Sequence, residues 1–292
     1  THKLFEIMLL YDKRIQPFYT FLDTFFSIVR LIFQTKFKET SQMCHQHEKC
    51  LILGNGPSLI KTLEENKEKL LEYDALAVNF FATTQEYVKY RPNKYVLCDP
   101  AFWYAVPSED LHAKVDLLFH TMASVTDWPL QLYIPHQAAK CQRMIDLIKP
   151  NKNISLHFYN KTKYEGWGQT FIYRKQWGMP RAQNVVNAAL MLAIHSNYKK
   201  IYLAGVDNDW ISNIWVDEDN NVRLNDTHFY DFQEAKKSAR FVSMTIDESL
   251  LCFYFSFYTY TAINSYAQKR DSTIINTNPL SYIDVFKKNI NL

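Results

Sequence analysis

The stretch CLILGNGPSL, residues 50–59, joins four apolar residues to a turn that contains two glycines and a proline. A short apolar run bounded by such a turn is typical of a buried β-strand. The spacing of apolar residues after the turn predicts a helix over 58–71. A strand that passes through a glycine turn directly into a helix predicts the first unit of a parallel α/β sheet.

Strand and helix patterns then alternate along the chain. We predict further strands at 75–79, 95–98, 131–134, 154–158, 200–206 and 273–276. Helices are predicted at 108–122, 136–148 and 184–195, and a long aromatic segment at 231–268 also has a helical pattern. Repeated strand–helix units of this length predict an α/β, Rossmann-like fold with a mainly parallel sheet and helices on both faces.

The composition limits the class of protein. The 292 residues are enough for one large domain, which we place at 50–292, preceded by a helical appendage at 1–40. The 33 basic and 30 acidic residues are too evenly balanced for a nucleic-acid-binding protein. Five scattered cysteines favour a reduced, cytoplasmic protein over a disulfide framework. The sequence predicts neither a secretory signal nor a membrane-spanning apolar run.

The N-terminal appendage has a broad apolar helix surface between basic residues. The apolar residues are Phe18, Phe21, Leu22, Phe25, Phe26, Val29, Leu31, Ile32 and Phe33, and the basic ones are Lys13, Arg14, Arg30, Lys36 and Lys38. This pattern predicts that residues 13–38 lie in a membrane interface, on the inner face of the cytoplasmic membrane. A helix packed against the domain, or against a second subunit of a homo-oligomer, fits the pattern equally well.

Polar residues follow the first three predicted strands of the domain. Gly54 and Gly56 would let the backbone approach a ligand, and the following helix would offer its N-terminal N–H groups to an anion. Ser58 could instead cap that helix. Asn79 and Asp99 end the next two strands. All three strand ends would therefore meet at one sheet edge, where such folds bind nucleotides.

Several segments of the chain resemble bacterial lipooligosaccharide sialyltransferases. They are the loop GNGPSL at 54–59, the strand ends at Asn79 and at Asp99-Pro100, and the segment YKKIYLAGVD at 198–207. The family has a modified Rossmann-like, GT-A-like fold and transfers sialic acid from CMP-sialic acid with inversion. The resemblance implies a CMP-sugar-dependent, inverting glycosyltransferase of lipopolysaccharide or capsule biosynthesis. The wider superfamily also includes a pterin pyrophosphokinase.

The resemblance also implies roles for individual residues. Asn55, Gly56 and Ser58 would hold the donor nucleotide and its phosphate, and Asn79 would contact phosphate or ribose. Asp99 stands where the family has an Asn that contacts the sugar, and Arg181 would contact the acceptor. The implied donor site consists of Gly54, Asn55, Gly56, Pro57, Ser58, Asn79, Asp99, Gln183, Asn184, Asp207, Trp210 and Trp215.

His228 matches the general base of the family. In an inverting transfer the acceptor hydroxyl must lose a proton as it attacks the anomeric carbon, and a histidine with a near-neutral pKa is suited to accept it. His228 follows a polar stretch at 217–226 that has the composition of a mobile lid. The alternative is that Thr227 and His228 only flank the helical segment at 231–268.

The loop after the segment 198–207 departs from the family pattern. The family stabilises its departing phosphate with tyrosine hydroxyls and without a metal, but this loop has no tyrosine before Tyr230. The indole N–H groups of Trp210 and Trp215 could replace them, in which case no cofactor is needed. Alternatively, Asp207 and Asp209 would bind Mg²⁺ or Mn²⁺ bridging the diphosphate of a UDP- or GDP-sugar.

The acceptor site is predicted in the aromatic, glycine-containing segment at 159–177. Tyr164 and Trp167 would stack on sugar rings there, and an ordinary surface loop is the alternative. The aromatic block at 253–260 is assigned to helix packing. We therefore expect a glycosyltransferase that acts on a cell-surface glycan or glycolipid. A pyrophosphokinase-like phosphotransferase and a non-enzymatic adaptor are the competing hypotheses.

Overall fold

The computed structural model describes residues 16–38, 42–104, 109–225, 240–241, 244–290 and 292, with the side chains at 240 and 241 excluded. Eight strands form one sheet: β1 (Lys49–Leu53), β2 (Tyr73–Val78), β3 (Lys94–Val96), β4 (Leu130–Pro135), β5 (Ile154–Tyr159), β6 (Lys200–Ala204), β10 (Thr273–Asn276) and β11 (Lys287–Lys288). A second, antiparallel sheet contains β7 (Ile214–Val216), β8 (Val222–Leu224) and β9 (Arg240–Phe241).

Eight α-helices lie in the described residues. They are α1 (Gln16–Gln34), α2 (Leu59–Glu65), α3 (Gln85–Tyr90), α4 (Glu109–Val125), α5 (Gln142–Ile148), α6 (Gln169–Arg174), α7 (Val185–His195) and α8 (Ile246–Gln268). Short 3-10 turns follow several of the strands. The predicted helix at 58–71 is shorter than expected, because the chain leaves helical geometry at Asn66.

The large sheet is parallel throughout, in the order β11-β10-β6-β1-β2-β3-β4-β5. The predicted α/β fold with a parallel sheet is therefore confirmed. The chain runs outward from β1 to β5 and then returns to place β6 on the other side of β1. The strand order thus reverses between β1 and β6. In open parallel sheets a ligand cleft forms at such a switch point, outside the carboxyl ends of the strands.

Helices cover both faces of this sheet because side chains alternate along its strands. Cys50 and Ile52 belong to one apolar core with α7 and α8, whereas Leu51 and Leu53 belong to a second core with α2, α4 and α5. Every residue of α7 is buried, and this helix contacts β1, β2 and β3. Helix α7 is therefore the central helix of its face, and its N-terminus lies at the carboxyl edge of the sheet.

The opposite edge of the sheet contains a buried ion pair. Lys94 Nζ lies 3.2 Å from Asp74 Oδ1, and neither side chain is more than 1% exposed. The same carboxylate accepts hydrogen bonds from the Tyr198 hydroxyl at 2.5 Å and from Asn93 Nδ2 at 2.7 Å. Burial raises the pKa of Asp74, but the bonds from Tyr198 and Asn93 and the charge of Lys94 outweigh it and hold the pKa below its usual value. This cluster stabilises the edge remote from the cleft.

One prediction for the C-terminal half needs correction, and one polar stretch has a defined local structure. The segment predicted as helical from 231 contains strand β9 at 240–241, and α8 begins only at Ile246. The stretch predicted as a mobile lid is a hairpin up to residue 225, in which Asp217 accepts hydrogen bonds from the Asn221 backbone at 2.8 Å and from Arg223 Nε at 2.6 Å. An aspartate at the start of a turn organises the backbone that follows it, and this explains an ordered hairpin in a polar sequence.

The N-terminal helix α1 packs on the segment after β5. Its Thr24 hydroxyl accepts a hydrogen bond from the Trp167 N–H at 2.9 Å, and its Ser27 hydroxyl accepts one from the Glu165 N–H at 3.0 Å. Within the described residues, no helix has the length and apolar character that crossing a membrane requires. The contacts of α1 show that it lies against the domain along part of its surface.

Candidate active site

A cleft of about 440 Å³ opens at the switch point, beside the carboxyl ends of β1, β2, β3 and β6. The first half of α8 and the hairpin β7–β8 form its other side. The cleft brings together most of the residues that the sequence analysis assigned to a donor site. Those that line it are Gly54, Asn55, Gly56, Pro57, Asn79, Asp99, Gln183, Asn184, Asp207 and Trp210. Asp209, predicted as a possible metal ligand, also lines it.

The two glycines of the loop after β1 allow close contact with the loop after β6. The Gly56 N–H donates to the Gly205 carbonyl at 2.8 Å. A Cβ on Gly56 would lie 2.3 Å from Asp207 Oδ2, and one on Gly54 would lie 2.3 Å from the Gly205 carbonyl oxygen. From the sequence, these glycines were expected to allow the approach of a ligand. In the structure they are required first by the approach of the protein's own backbone and of the Asp207 carboxylate.

Asp207 fastens the glycine loop in place. Its Oδ2 accepts a hydrogen bond from the Ser58 backbone N–H at 3.1 Å, and its Oδ1 accepts bonds from the Ser58 hydroxyl and, at 2.5 Å, from Asn278 Nδ2. Ser58 makes no side-chain cap of α2. It does not line the cleft either. The predictions that Ser58 caps the helix or holds the donor nucleotide and its phosphate are therefore corrected, because both of its donors bind Asp207.

Two amide oxygens at the cleft are buried without a partner. They are Asn55 Oδ1 and Asn79 Oδ1. The two side chains follow the neighbouring strands β1 and β2. Asn55 reaches the end of β2, where its Nδ2 lies 3.4 Å from the Val78 carbonyl oxygen. Asn79 adopts a left-handed backbone with φ of 50°, a conformation that asparagine tolerates better than most residues. A buried acceptor without a donor costs about 1–3 kcal/mol, so this pair is suited to accept hydrogen bonds from a ligand.

Asn184 helps to build the floor of the cleft. Its Oδ1 accepts from the Asn187 N–H at 3.1 Å and so caps α7, and its Nδ2 donates to the Tyr260 hydroxyl at 3.0 Å. Asn208 Nδ2 donates to the same hydroxyl at 3.2 Å. Burial raises the pKa of Tyr260 to about 12, so its hydroxyl stays protonated at neutral pH. Tyr260 therefore joins the loop after β6 to the N-terminus of α7.

The basic residue of the cleft was not predicted from the sequence. Lys161 lies two residues beyond β5, lines the cleft and donates a hydrogen bond from Nζ to the Cys98 carbonyl at 2.7 Å. Among the described residues it is the one basic side chain in the lining, which also contains the acids Asp99, Asp207 and Asp209. Its position after a strand was the available signal, but no motif marks it.

Helix α8 was also missed as a wall of the site. Its residues Ser249, Cys252, Phe253 and Ser256 line the cleft, at the spacing of one helix face. The Phe253 ring stacks on the Trp210 ring, with centroids 6.0 Å apart and planes 21° apart. The assignment of the whole block 253–260 to helix packing therefore needs correction at Phe253 and Ser256. Trp210 and Phe253 provide an aromatic surface within the cleft.

The predicted acceptor residues lie elsewhere. Tyr164 is only 3% exposed, and its hydroxyl donates to the Trp167 carbonyl at 2.7 Å, so its ring cannot stack on a sugar. Trp167 is exposed beside Phe21 of α1. Arg181 places its guanidinium 4.4 Å from the centroid of the Phe255 ring and does not line the cleft. Trp215, predicted for the donor site, is exposed on β7 outside the lining.

Two other predictions concern the base and the metal. His228 lies outside the described residues, although Leu224, at the end of β8, lines the cleft. Asp209 accepts a hydrogen bond from Asn213 Nδ2 at 3.0 Å, whereas both carboxylate oxygens of Asp207 are used in fastening the glycine loop. In the described parts of the chain, no three or more His, Cys, Asp or Glu side chains are grouped closely enough to hold a metal ion.

The parallel sheet, with its cleft at the switch point, defines a Rossmann-like α/β protein. Among solved structures, it is similar to the MAf glycosyltransferase from Magnetospirillum magneticum AMB-1, with a TM-score of 0.51 and 13% sequence identity. The match covers 88% of this chain but only 34% of that protein, so this chain spans about a third of its length. At this identity the likeness establishes a shared fold. No protein-family model and no curated protein matches the sequence.

Proposed function

We propose that the chain is an inverting glycosyltransferase that takes a sugar from a nucleotide donor bound in the cleft. The observation that carries the proposal is the pair of unpartnered amide oxygens of Asn55 and Asn79 at the switch point of the sheet. Ribose hydroxyls and the exocyclic amine of a base are donors that would satisfy them. The fold shared with a glycosyltransferase is consistent with this function.

We favour a CMP-activated acidic sugar, such as sialic acid, a related nonulosonate or Kdo, as the donor. Such a donor carries a phosphate and a carboxylate, and Lys161 is placed to offset one of these charges. The stacked rings of Trp210 and Phe253 offer a flat apolar surface for a base or a sugar ring. The proposed acceptor is a cell-surface glycan or glycolipid.

His228 is the proposed general base. The support is the sequence resemblance, together with the position of Leu224 in the lining only four residues earlier in the chain. His228→Ala should abolish sugar transfer while donor binding remains, because the base acts on the acceptor hydroxyl and not on the donor. Loss of donor binding in this variant, or transfer at the native rate, would contradict the assignment.

The proposal is tested first by donor binding. The thermal unfolding midpoint is measured with CMP, CDP, UDP, GDP and their sugars, each with and without Mg²⁺ or Mn²⁺. A ligand that binds only the folded state raises the midpoint, so CMP or a CMP-sugar should do so without metal. Asn55→Ala should remove the shift, and the exposed Asn153→Ala should retain it. A protein that responds to none of these nucleotides would overturn the proposal in favour of an adaptor.

A second candidate is a metal-dependent enzyme, either a UDP- or GDP-sugar transferase or a pyrophosphokinase-like phosphotransferase. The observation that favours it is the Asp209 carboxylate in the lining, since carboxylate oxygens are preferred ligands of Mg²⁺. Stabilisation by UDP or GDP only with metal, and loss of turnover in EDTA, would support it. The fully bonded Asp207 carboxylate makes this candidate the weaker of the two, because metal binding there would break its bonds to Ser58 and Asn278.

A further inference from the structure

Helix α1 turns hydroxyl-bearing residues toward the protein. Just after the helix, the Thr35 hydroxyl donates to the Trp177 carbonyl at 2.8 Å and lies 2.9 Å from the Thr162 hydroxyl, and both Thr35 and Ser27 are buried. Thr24 and Ser27 accept from backbone N–H groups of the segment after β5. A surface helix of a globular protein normally buries its apolar side. In α1 most of the apolar side is left facing outward.

The outward face of α1 is a continuous stripe of large apolar residues. Phe33 is 82% exposed and Ile32 is 62% exposed. The other exposed apolar residues of α1 are Phe18, Phe21, Phe25, Phe26, Ile28 and Val29. Phe37 and Trp167 add exposed rings beside the helix. Contiguous apolar surface of this kind on a folded domain marks an interaction site.

Charges near the stripe indicate what covers it. Residues 13–38 contain five basic residues and one acid, and basic residues stand at both ends of the stripe in the sequence. At the C-terminal end Lys36 and Lys38 are exposed. Two copies of α1 packed face to face and parallel would bring the exposed Lys36 and Lys38 of both copies together. An anionic surface would instead attract these lysines.

We propose that the outward face of α1 docks on an anionic lipid surface, with the phenylalanines in the acyl boundary and the basic residues at the headgroups. An amphipathic helix with aromatic residues on one face and nearby basic residues binds a membrane in this way, without crossing it. Exposed Trp167 is a further interfacial anchor, since tryptophan concentrates at the headgroup level. The polar contacts of α1 with the domain then hold the protein on the membrane through this helix.

The docking surface is connected to the edge of the cleft. The Lys36 backbone N–H donates to Asn160 Oδ1 at 2.9 Å, and Asn160 is followed by Lys161 in the lining. An enzyme held in this way would keep its cleft near acceptors in the membrane. The docking itself rests only on α1 and its surroundings, so it stands or fails independently of the donor and of the reaction.

Vesicle co-sedimentation of the full chain tests the docking. Vesicles of phosphatidylcholine alone are compared with vesicles that also contain phosphatidylglycerol. The native protein should bind the anionic vesicles, and the triple variant F25Q/I32Q/F33Q should bind them at least about tenfold more weakly, because partition scales with buried apolar area. The variant L71Q/L280Q/I290Q replaces three equally apolar residues, 81%, 82% and 61% exposed outside α1, and should bind like the native protein.

A charge variant separates the electrostatic part of the docking. K36Q/K38Q should weaken binding to the anionic vesicles by about tenfold or more, because each basic residue near such a surface is attracted by its negative potential. K67Q/K152Q, which removes two exposed lysines elsewhere, should have no effect. Failure of the native protein to bind anionic vesicles overturns the proposal. So does a dimer in solution that F25Q/I32Q/F33Q converts to monomer, because the stripe would then be a subunit interface.

Discussion

The carboxylate of Asp207, in the loop after β6, accepts hydrogen bonds from both the backbone N–H and the hydroxyl of Ser58, in the loop after β1. These two strands are the neighbours between which the strand order reverses. The contact therefore joins the two loops that meet at the switch point of the sheet, beside the cleft. It also uses the backbone N–H of Ser58, the residue before α2, inside the protein, at a helix N-terminus where the sequence had predicted a site for a ligand anion.

Substitutions at Asp207 and Asp209 distinguish a structural role of Asp207 from a metal-binding role. Asp207→Asn should lower the free energy of unfolding by about 1.5–3 kcal/mol, because it removes charge-assisted hydrogen bonds from a buried carboxylate. Asp209→Asn, in the same lining, should cost less than about 1 kcal/mol. Denaturant unfolding measures both. Equally small losses of stability in both variants, together with loss of a metal-dependent activity in Asp207→Asn, would instead identify Asp207 as a metal ligand.

Gly56 is expected to tolerate no side chain. In Gly56→Ala the new Cβ would meet the Asp207 carboxylate and the Gly205 carbonyl oxygen at 2.3 and 2.8 Å. Because both neighbours are held by hydrogen bonds, the loop must shift. We expect the free energy of unfolding to fall by about 1–3 kcal/mol. We also expect that nucleotide no longer raises the melting temperature. A variant with native stability and native nucleotide response would show that the two loops separate easily.

Lys161 should control affinity for the anionic donor. Lys161→Gln should weaken donor binding by roughly tenfold or more, since a hydrogen bond to a charged group contributes about 1.5–3 kcal/mol. The matched control is Lys163→Gln, which removes a lysine paired with Glu165 outside the lining. Titration calorimetry with the donor nucleotide measures both. An unchanged dissociation constant in Lys161→Gln would remove this lysine from the proposed site.

The buried pair of Asp74 and Lys94 should contribute strongly to stability and not to binding. Asp74→Asn leaves Lys94 buried without its counterion and should cost about 3–5 kcal/mol. Asp127→Asn breaks an exposed pair with Arg91, 3.4 Å apart, and should cost less than about 1 kcal/mol. Nucleotide affinity of the folded protein should be unchanged in both variants. Because the pKa of Asp74 is lowered, its contribution is present at neutral pH and disappears as the pH falls through that value.

His195 should make the native protein lose stability in mild acid. Burial, helped by the charge of Arg270, lowers the pKa of His195 from 6.5 to about 3. Below pH 6.5 the unfolded chain therefore binds a proton that the folded chain does not, and the free energy of unfolding falls by about 2 kcal/mol between neutral pH and pH 5. His195→Gln should flatten this slope, and His120→Gln, at an exposed position, should leave it unchanged.

The sequence by itself determined the sheet and much of the cleft. Apolar runs of strand length, each followed by polar residues, predicted seven of the eight strands of the large sheet and placed Asn55, Asn79 and Asp207 at one edge. Such local patterns suffice because a fully buried parallel strand requires an apolar run and its end requires a turn. The short β11, with only Lys287 and Lys288, has no apolar run that could have revealed it.

Only the tertiary structure decided which polar groups are used within the protein and which remain for a ligand. Ser58 and Asp207 satisfy each other across two loops 149 residues apart, whereas the amide oxygens of Asn55 and Asn79 stay unpartnered. Lys161 and Phe253 reach the cleft through the placement of β5 and α8, which no local pattern encodes. The outward apolar face of α1 likewise became visible only once its threonines and serine were seen to contact the domain. Hydrogen-bond partners and burial depend on segments distant in the chain, and periodicity carries no information about them.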